Sequence, residues 1–107
     1  MNDFYNLKGY RVRVEFTKYS YNNALAVKLM TENDEPYAVV SVNLLESDCI
    51  PKTMAFIDIN NCKWAEKFLT ENEIATPTGE FGESGFCTYP LYDFSKYIKA
   101  RRNKWLK

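Results

Sequence analysis

Hydrophobic and polar residues alternate strictly over residues 10–17. Tyr10, Val12, Val14 and Phe16 take every second position, and the residues between them are two arginines and a glutamate. Successive side chains of a β-strand point to opposite faces of its sheet, so this spacing is typical of a strand with one buried and one solvated face. It predicts a strand over these residues.

Two more strands are predicted after short polar turns. Residues 24–31 are apolar and of strand length, and the turns that flank them favour a strand over a helix. Residues 37–44 are rich in β-branched side chains, which predicts a central strand. The turns at residues 21–23 and 32–36 contain Asn, Asp and Pro. Three strands joined this closely predict an antiparallel meander.

The middle of the chain predicts a short strand followed by a helix. Residues 54–59 are mostly apolar and form the predicted fourth strand. Asn60 and Asn61 offer an N-cap, because an Asn side chain accepts hydrogen bonds from the first free amides of a helix. The helix is predicted over residues 62–71. Its apolar residues fall on one stripe at helical spacing, namely Trp64, Ala65, Phe68 and Leu69.

The last third predicts a loop, a strand and a second helix. Three of the four glycines lie within residues 75–84 or directly after them, which predicts a mobile loop over this range. Residues 86–91 form a possible fifth strand, and Pro90 predicts that it is short or at a sheet edge. Residues 94–106 are the second helix candidate. Together these elements predict one α+β domain over residues 1–107. Its mostly antiparallel sheet of four or five strands is packed by one main helix and a C-terminal helix.

Charge is distributed unevenly along the chain. Residues 96–107 hold six of the fourteen basic side chains and no acidic one. Residues 1–95 therefore hold eight basic and fourteen acidic side chains, a net charge of −6 that the formal total of zero hides. A basic segment beside an acidic body indicates a surface with an electrostatic preference for a partner.

Composition excludes several function classes. The chain has no histidine, which removes Ser-His-Asp and Cys-His catalysis and histidine general bases. Cys49, Cys62 and Cys87 are isolated, so they predict neither a disulfide framework nor a zinc site, and they fit a reducing cytosol. No apolar run approaches membrane-spanning length, and the N-terminus does not resemble a secretory signal. We expect a cytoplasmic protein without cofactor or metal.

Three segments form a recognisable set, namely Ala-Phe-Ile-Asp-Ile-Asn-Asn at 55–61, Trp-Ala-Glu-Lys-Phe-Leu at 64–69, and Ser-Gly-Phe-Cys-Thr-Tyr-Pro-Leu-Tyr-Asp-Phe at 84–94. Together they resemble a family of small bacterial proteins of unknown function. Members of that family look like cargo of plasmids, phages and conjugative elements. The resemblance implies a bacterial cytoplasmic protein with an accessory role, and it brings no catalytic residues.

Four segments carry candidate chemistry, and each has a plainer structural interpretation. The basic segment could contact a nucleic acid or a protein, or be a solvated helix. Asp58 could help to position a metal ion, or satisfy backbone amides after its strand. The glycines of residues 79–85 lack a phosphate-loop motif and favour a flexible loop. Residues 89–94 could be an aromatic contact patch or packed strand residues.

We therefore expect a protein that acts without catalysis by binding a protein partner. A nucleic-acid-binding module that uses the basic segment is the alternative, and an enzyme that uses carboxylates and a metal is a weaker one. The oligomeric state is left open. The candidate partner-binding residues are Phe81, Tyr89, Tyr92, Lys99, Arg101, Arg102 and Trp105.

Overall fold

The computed structural model describes residues 4–105, with side chains described as far as Arg101, and confirms an α+β fold. Within these residues, eight strands form two four-stranded antiparallel sheets. The first sheet is built from β1 (Tyr5–Leu7), β2 (Tyr10–Lys18), β3 (Leu25–Thr31) and β4 (Pro36–Val39), in that order.

The second sheet takes its strands from the rest of the chain. They are β5 (Ser41–Val42), β6 (Met54–Ile57), β7 (Thr76–Ser84) and β8 (Cys87–Asp93), in the order β5-β6-β8-β7. The 3-10 helix Leu45–Cys49 and the two α-helices α1 (Ala65–Glu71) and α2 (Ser95–Trp105) complete the described elements.

The predicted N-terminal meander is confirmed. β2 pairs with β3 over seven residues from Val12↔Thr31 to Lys18↔Leu25, and β4 continues the sheet. The alternation of β2 places Val12 and Val14 in the core. Its charged positions form ion pairs on the other face, where Arg13 contacts Asp34 at 2.8 Å.

The prediction of one central strand over residues 37–44 is wrong, because the segment changes sheets at Val40. The Val40 amide donates to the Val27 carbonyl of the first sheet, and its own carbonyl accepts from Asp58 beside the second. The buried Ser41 hydroxyl then accepts from the Val27 amide at 2.9 Å. β4 and β5 consequently lie at edges of two different sheets.

The prediction of a loop over residues 75–84 is also wrong. β7 pairs with β8 from Thr76↔Asp93 to Ser84↔Cys87, with an irregularity between Pro77 and Phe81. The glycines have separate roles in this hairpin. Gly79 has a φ of +90° within the irregularity, and Gly85 has a φ of +62° in the turn, where a residue with a side chain would be strained.

The strand predicted over residues 86–91 exists, but it lies inside its sheet rather than at an edge. β8 runs between β6 and β7. The pairing of β8 with β6 ends at Phe56↔Leu91, so Pro90, the preceding residue of β8, has no partner in β6. Pro90 pairs instead with Phe81 of β7. An interior strand therefore tolerates this proline because the β6 ladder stops beside it.

Helix α1 begins later than predicted. Asn60 and Asn61 lie in a turn, where the Asn61 amide donates to the Asp58 carboxylate at 3.3 Å. The N-cap is Trp64, which makes no side-chain capping hydrogen bond. The predicted apolar stripe is confirmed, since Ala65, Phe68 and Leu69 are buried.

Two clusters of buried residues hold the described chain together. The main core lies between the first sheet, one face of the second sheet and both helices. The smaller core covers the other face of the second sheet and contains Leu44, Phe56 and Leu91. Adjacent residues of β6 and β8 therefore serve different cores, as the two faces of a strand require.

Candidate functional site

Helix α2 is held against the first sheet by a ring and cation contact. Tyr97 is buried, and its hydroxyl shares a hydrogen bond of 3.0 Å with the hydroxyl of Tyr5. The Arg101 guanidinium lies 3.8 Å from the centroid of the Tyr97 ring and donates to the Tyr5 hydroxyl at 3.3 Å. Arg101, predicted to contact a partner, thus stabilises the docking of α2.

The rest of the basic segment divides into two parts. Lys96 and Lys99 are exposed and lie three residues apart, which places them on neighbouring positions of one helical face. The candidates Arg102 and Trp105 belong to α2, but their side chains lie outside the described residues.

The aromatic candidates of the β7–β8 hairpin do not form one patch. Phe81 is 63% exposed on the edge strand β7. Tyr89 is half-buried and packs against the smaller core. Tyr92 is 2% exposed and its hydroxyl donates to the Glu66 carboxylate at 2.6 Å. Tyr92 therefore offers no surface to a partner and joins β8 to α1 instead.

The environment of Tyr92 raises the pKa of its phenol group. Burial raises the pKa of Tyr92, and the hydrogen bond to the Glu66 carboxylate and its negative charge raise it further. The folded protein therefore holds the phenol proton more tightly than the unfolded chain does. The resulting stabilisation is fully present below the unfolded pKa of about 10 and is lost as the pH rises through the folded value.

We expect Tyr92→Phe to lower the free energy of unfolding by about 1.5–3 kcal/mol at neutral pH, because it removes a hydrogen bond to a charged group. The difference from wild type should shrink as the pH rises above about 10. Urea unfolding at neutral and alkaline pH measures both effects, and Tyr21→Phe at an exposed tyrosine is the control. A difference that stays constant with pH would contradict the role of the Tyr92 proton.

A different surface gathers exposed apolar side chains from distant parts of the chain. Tyr21 of the β2–β3 turn and Leu45 of the 3-10 helix are 86% and 91% exposed, and both line a cleft of about 390 Å³. Gly85 of the β7–β8 turn lines the same cleft, and the next residue, Phe86, is fully exposed. We call Tyr21, Leu45, Phe86 and this cleft the tip surface.

The tip surface is acidic as well as apolar. Asp48 and Glu83 line the cleft, and none of the described residues that line it is basic. The Glu46 carboxylate accepts a hydrogen bond of 3.3 Å from the Glu83 amide, which brings a third carboxylate to this end of β7. One lysine lies beside the cleft, since the Lys52 ammonium donates to the Asn22 carbonyl.

Local hydrogen bonds fix the 3-10 helix that presents Leu45. The buried Ser47 hydroxyl accepts from the Leu44 amide at 2.9 Å. Leu44 itself is buried in the smaller core, so the following residue is turned outward. At the same cleft, the side-chain amides of Asn22 and Asn43 pair with each other at 3.1 and 3.3 Å. These bonds join the β2–β3 turn to the residue before Leu44.

A second cleft, of about 560 Å³, lies between the end of α1, the start of β7 and α2. Its lining includes the apolar side chains of Ile74, Pro77 and Tyr97 and the charged side chains of Glu73 and Lys96. The volume falls within the range of small-molecule sites. Its charged groups are of both signs, so they indicate no particular ligand.

Asp58 takes part in a turn. Its carboxylate accepts from the Asn61 amide and, at 2.8 Å, from the Asn61 side chain, as the structural interpretation predicted. Burial and the charge of Asp58 raise the pKa of Cys62, whose thiol donates to the Val39 carbonyl. Among the residues that the structure describes, no three Cys, Asp or Glu side chains are grouped to hold a metal ion.

Residues 13–105 match the model of a family described as a domain of unknown function, DUF4313. The chain belongs to this family. No curated protein and no solved structure matches it. Within the described part of this DUF4313 protein, neither helix has the length and apolar character that crossing a membrane requires.

Sequence reasoning did not select the tip surface. Tyr21, Leu45 and Phe86 lie in three separate turns or short helices, and only the fold brings the first two and Gly85 around one cleft. One clue was present for Phe86. The Ser-Gly dipeptide at 84–85 favours a turn, and a large apolar residue in a hairpin turn is exposed.

Proposed function

We propose that this DUF4313 protein acts without catalysis, by binding a protein partner through the tip surface. The observation that supports the proposal is the grouping of large exposed apolar side chains around an acidic cleft. Exposed apolar groups that are rimmed by polar ones are typical of protein interaction sites, since burying them in a complex is favourable.

The chemistry of the tip surface defines the class of partner. Tyr21, Leu45 and Phe86 favour apolar or aromatic side chains. Asp48 and Glu83 favour lysine or arginine and repel phosphate groups. A partner segment that combines apolar and basic residues fits both features.

A comparison of bait proteins in a bacterial lysate tests this proposal. The surface variant carries Tyr21→Ser, Leu45→Ser and Phe86→Ser. The matched control carries Tyr10→Ser and Val39→Ser, two exposed apolar residues of the first sheet. We expect a protein that wild type and the control capture and that the surface variant does not. Capture of the same proteins by all three baits would overturn the proposal.

The biological setting is a second part of the proposal. The segments at 55–61, 64–69 and 84–94 resemble proteins carried by plasmids, phages and conjugative elements. We infer an accessory protein of such an element in the bacterial cytoplasm, where a partner from the host or from the element is available.

Nucleic-acid binding is the second candidate, and the exposed pair Lys96 and Lys99 favours it. Arg101→Ala is an unsuitable test, because Arg101 holds α2 in place. Lys96→Ala with Lys99→Ala leaves the Arg101 contacts intact. If the segment binds DNA, the double variant should weaken binding of a random duplex. It should also lower the salt slope by about 0.9 for each phosphate that the variant no longer neutralises. Unchanged binding and slope would reject this candidate.

A further inference from the structure

We propose that residues 102–107 of one molecule bind the tip surface of a second copy. The inference rests on the surface of the proposed function and names an occupant that this chain itself supplies. It gives the protein a concentration-dependent self-association in which its own C-terminal segment competes with any foreign partner for one site.

Charge complementarity is the first argument. Residues 102–107 read Arg-Asn-Lys-Trp-Leu-Lys, with three basic side chains and no acidic one. The cleft carries Asp48 and Glu83 among its lining residues, and Glu46 lies beside it. All three carboxylates belong to exposed residues, so they attract a basic segment from solution and lose little on pairing at the rim.

Apolar complementarity is the second argument. Trp105 and Leu106 are adjacent in the segment, between basic residues. The tip surface presents Tyr21, Leu45 and Phe86. A tryptophan that enters the cleft of about 390 Å³, which Tyr21 and Leu45 line, would be a typical anchor of a protein interface. The chain thus carries an apolar and basic segment as well as an apolar and acidic surface that complements it.

Distance along the molecule favours a second copy over binding within one chain. Thr76, at the start of β7, lines the cleft beside Arg101, whereas Ser84, at its end, lines the tip cleft. Eight residue steps of a strand span roughly 20–26 Å, allowing for the irregularity in β7. Arg101 therefore lies at the opposite end of β7 from the tip surface of its own molecule, which favours the tip surface of a second copy as the site for the residues that follow it.

Sedimentation of the purified full-length protein over a range of concentrations, at low and high salt, measures the association. The tail variant carries Arg102→Glu and Lys104→Glu, and the cleft variant carries Asp48→Lys and Glu83→Lys. Each alone should weaken association by on the order of tenfold or more, and high salt should weaken association of the wild type. The matched control, Glu35→Lys with Glu71→Lys, makes the same charge change on exposed residues outside the tip cleft.

The decisive step is to mix the two variants. The reversed tail should bind the reversed cleft, so the mixture should recover association that neither variant shows alone. A monomeric wild type at every concentration, equal effects of the control and the cleft variant, or no recovery on mixing would each overturn the inference. The tail variant keeps an intact tip surface, so in the lysate experiment it should still capture a foreign protein. Loss of self-association with retained capture would therefore test this inference without testing the proposed function.

Discussion

Replacement of Phe94 by alanine is expected to lower the free energy of unfolding by about 3–5 kcal/mol, the range for removing a buried aromatic side chain. Phe94 is fully buried and lies between β8 and α2. Its ring contacts that of Phe16 with the centroids 5.8 Å apart, and its amide donates to the Thr53 carbonyl at 2.8 Å. Truncation to alanine would leave a cavity at the place where both sheets and α2 meet.

The same substitution at Phe86 is the matched control. Phe86 is fully exposed, so Phe86→Ala should change the free energy of unfolding by no more than about 0.5 kcal/mol. Urea unfolding of both variants gives the comparison. Since a decrease of about 5 kcal/mol is a large fraction of the stability of a small domain, Phe94→Leu provides a milder variant that should still fold. Equal stability of the Phe94 and Phe86 variants would contradict the position of α2.

Local patterns predicted the elements that carry a clear period. The alternation of residues 10–17 gave β2, and the apolar stripe that includes Phe68 and Leu69 gave α1. Both patterns result directly from which face of the element is buried. The junction at Val40 has no such pattern. Residues 37–44 are rich in β-branched and small side chains throughout, so nothing local shows that the amide of Val40 bonds toward one sheet and its carbonyl toward the other.

Glycine content was misleading for β7. Three glycines within residues 75–84 or just beyond are typical of a loop, but each has a structural reason to be there. Gly79 and Gly85 have positive φ values at an irregularity and a turn. Gly82 lies under Leu44 and Phe56, where a side chain does not fit. Only the requirement at Gly82 depends on residues far away in the sequence, and sequence reasoning had no access to it.

The candidate site was less predictable than the fold. Exposed apolar residues look like core residues in a sequence, and hydropathy cannot separate Leu45, which is exposed, from Leu44, which is buried. The reverse error occurred at Tyr92, which was expected at a contact surface and lies in the core. Arg101 was predicted from its charge alone, whereas its contacts with Tyr5 and Tyr97 depend on strand β1 at the other end of the chain.

Gly82→Ala is expected to lower the free energy of unfolding by about 1–3 kcal/mol, because the core above it has no space for a methyl group. A Cβ atom at this position would lie 2.7 Å from Cδ1 of Leu44 and 2.8 Å from Cε1 of Phe56. Both neighbours are buried, so neither side chain moves without cost. Ser84→Ala, at an exposed position on the same face of β7, should have little effect in the same unfolding experiment.

A double variant isolates the cause of this destabilisation. Leu44→Ala removes one of the two side chains that the new methyl group would meet, so Gly82→Ala should cost less in the Leu44→Ala background than in wild type. Strictly additive effects would show that the contact with Leu44 is not responsible.

The contact between Gly82 and Leu44 also connects stability with the proposed function. Leu44 holds the 3-10 helix on the second sheet, and Leu45 of the tip surface follows it directly. Gly82→Ala should therefore weaken partner capture as well, whereas Phe86→Ala should weaken capture without a decrease in stability.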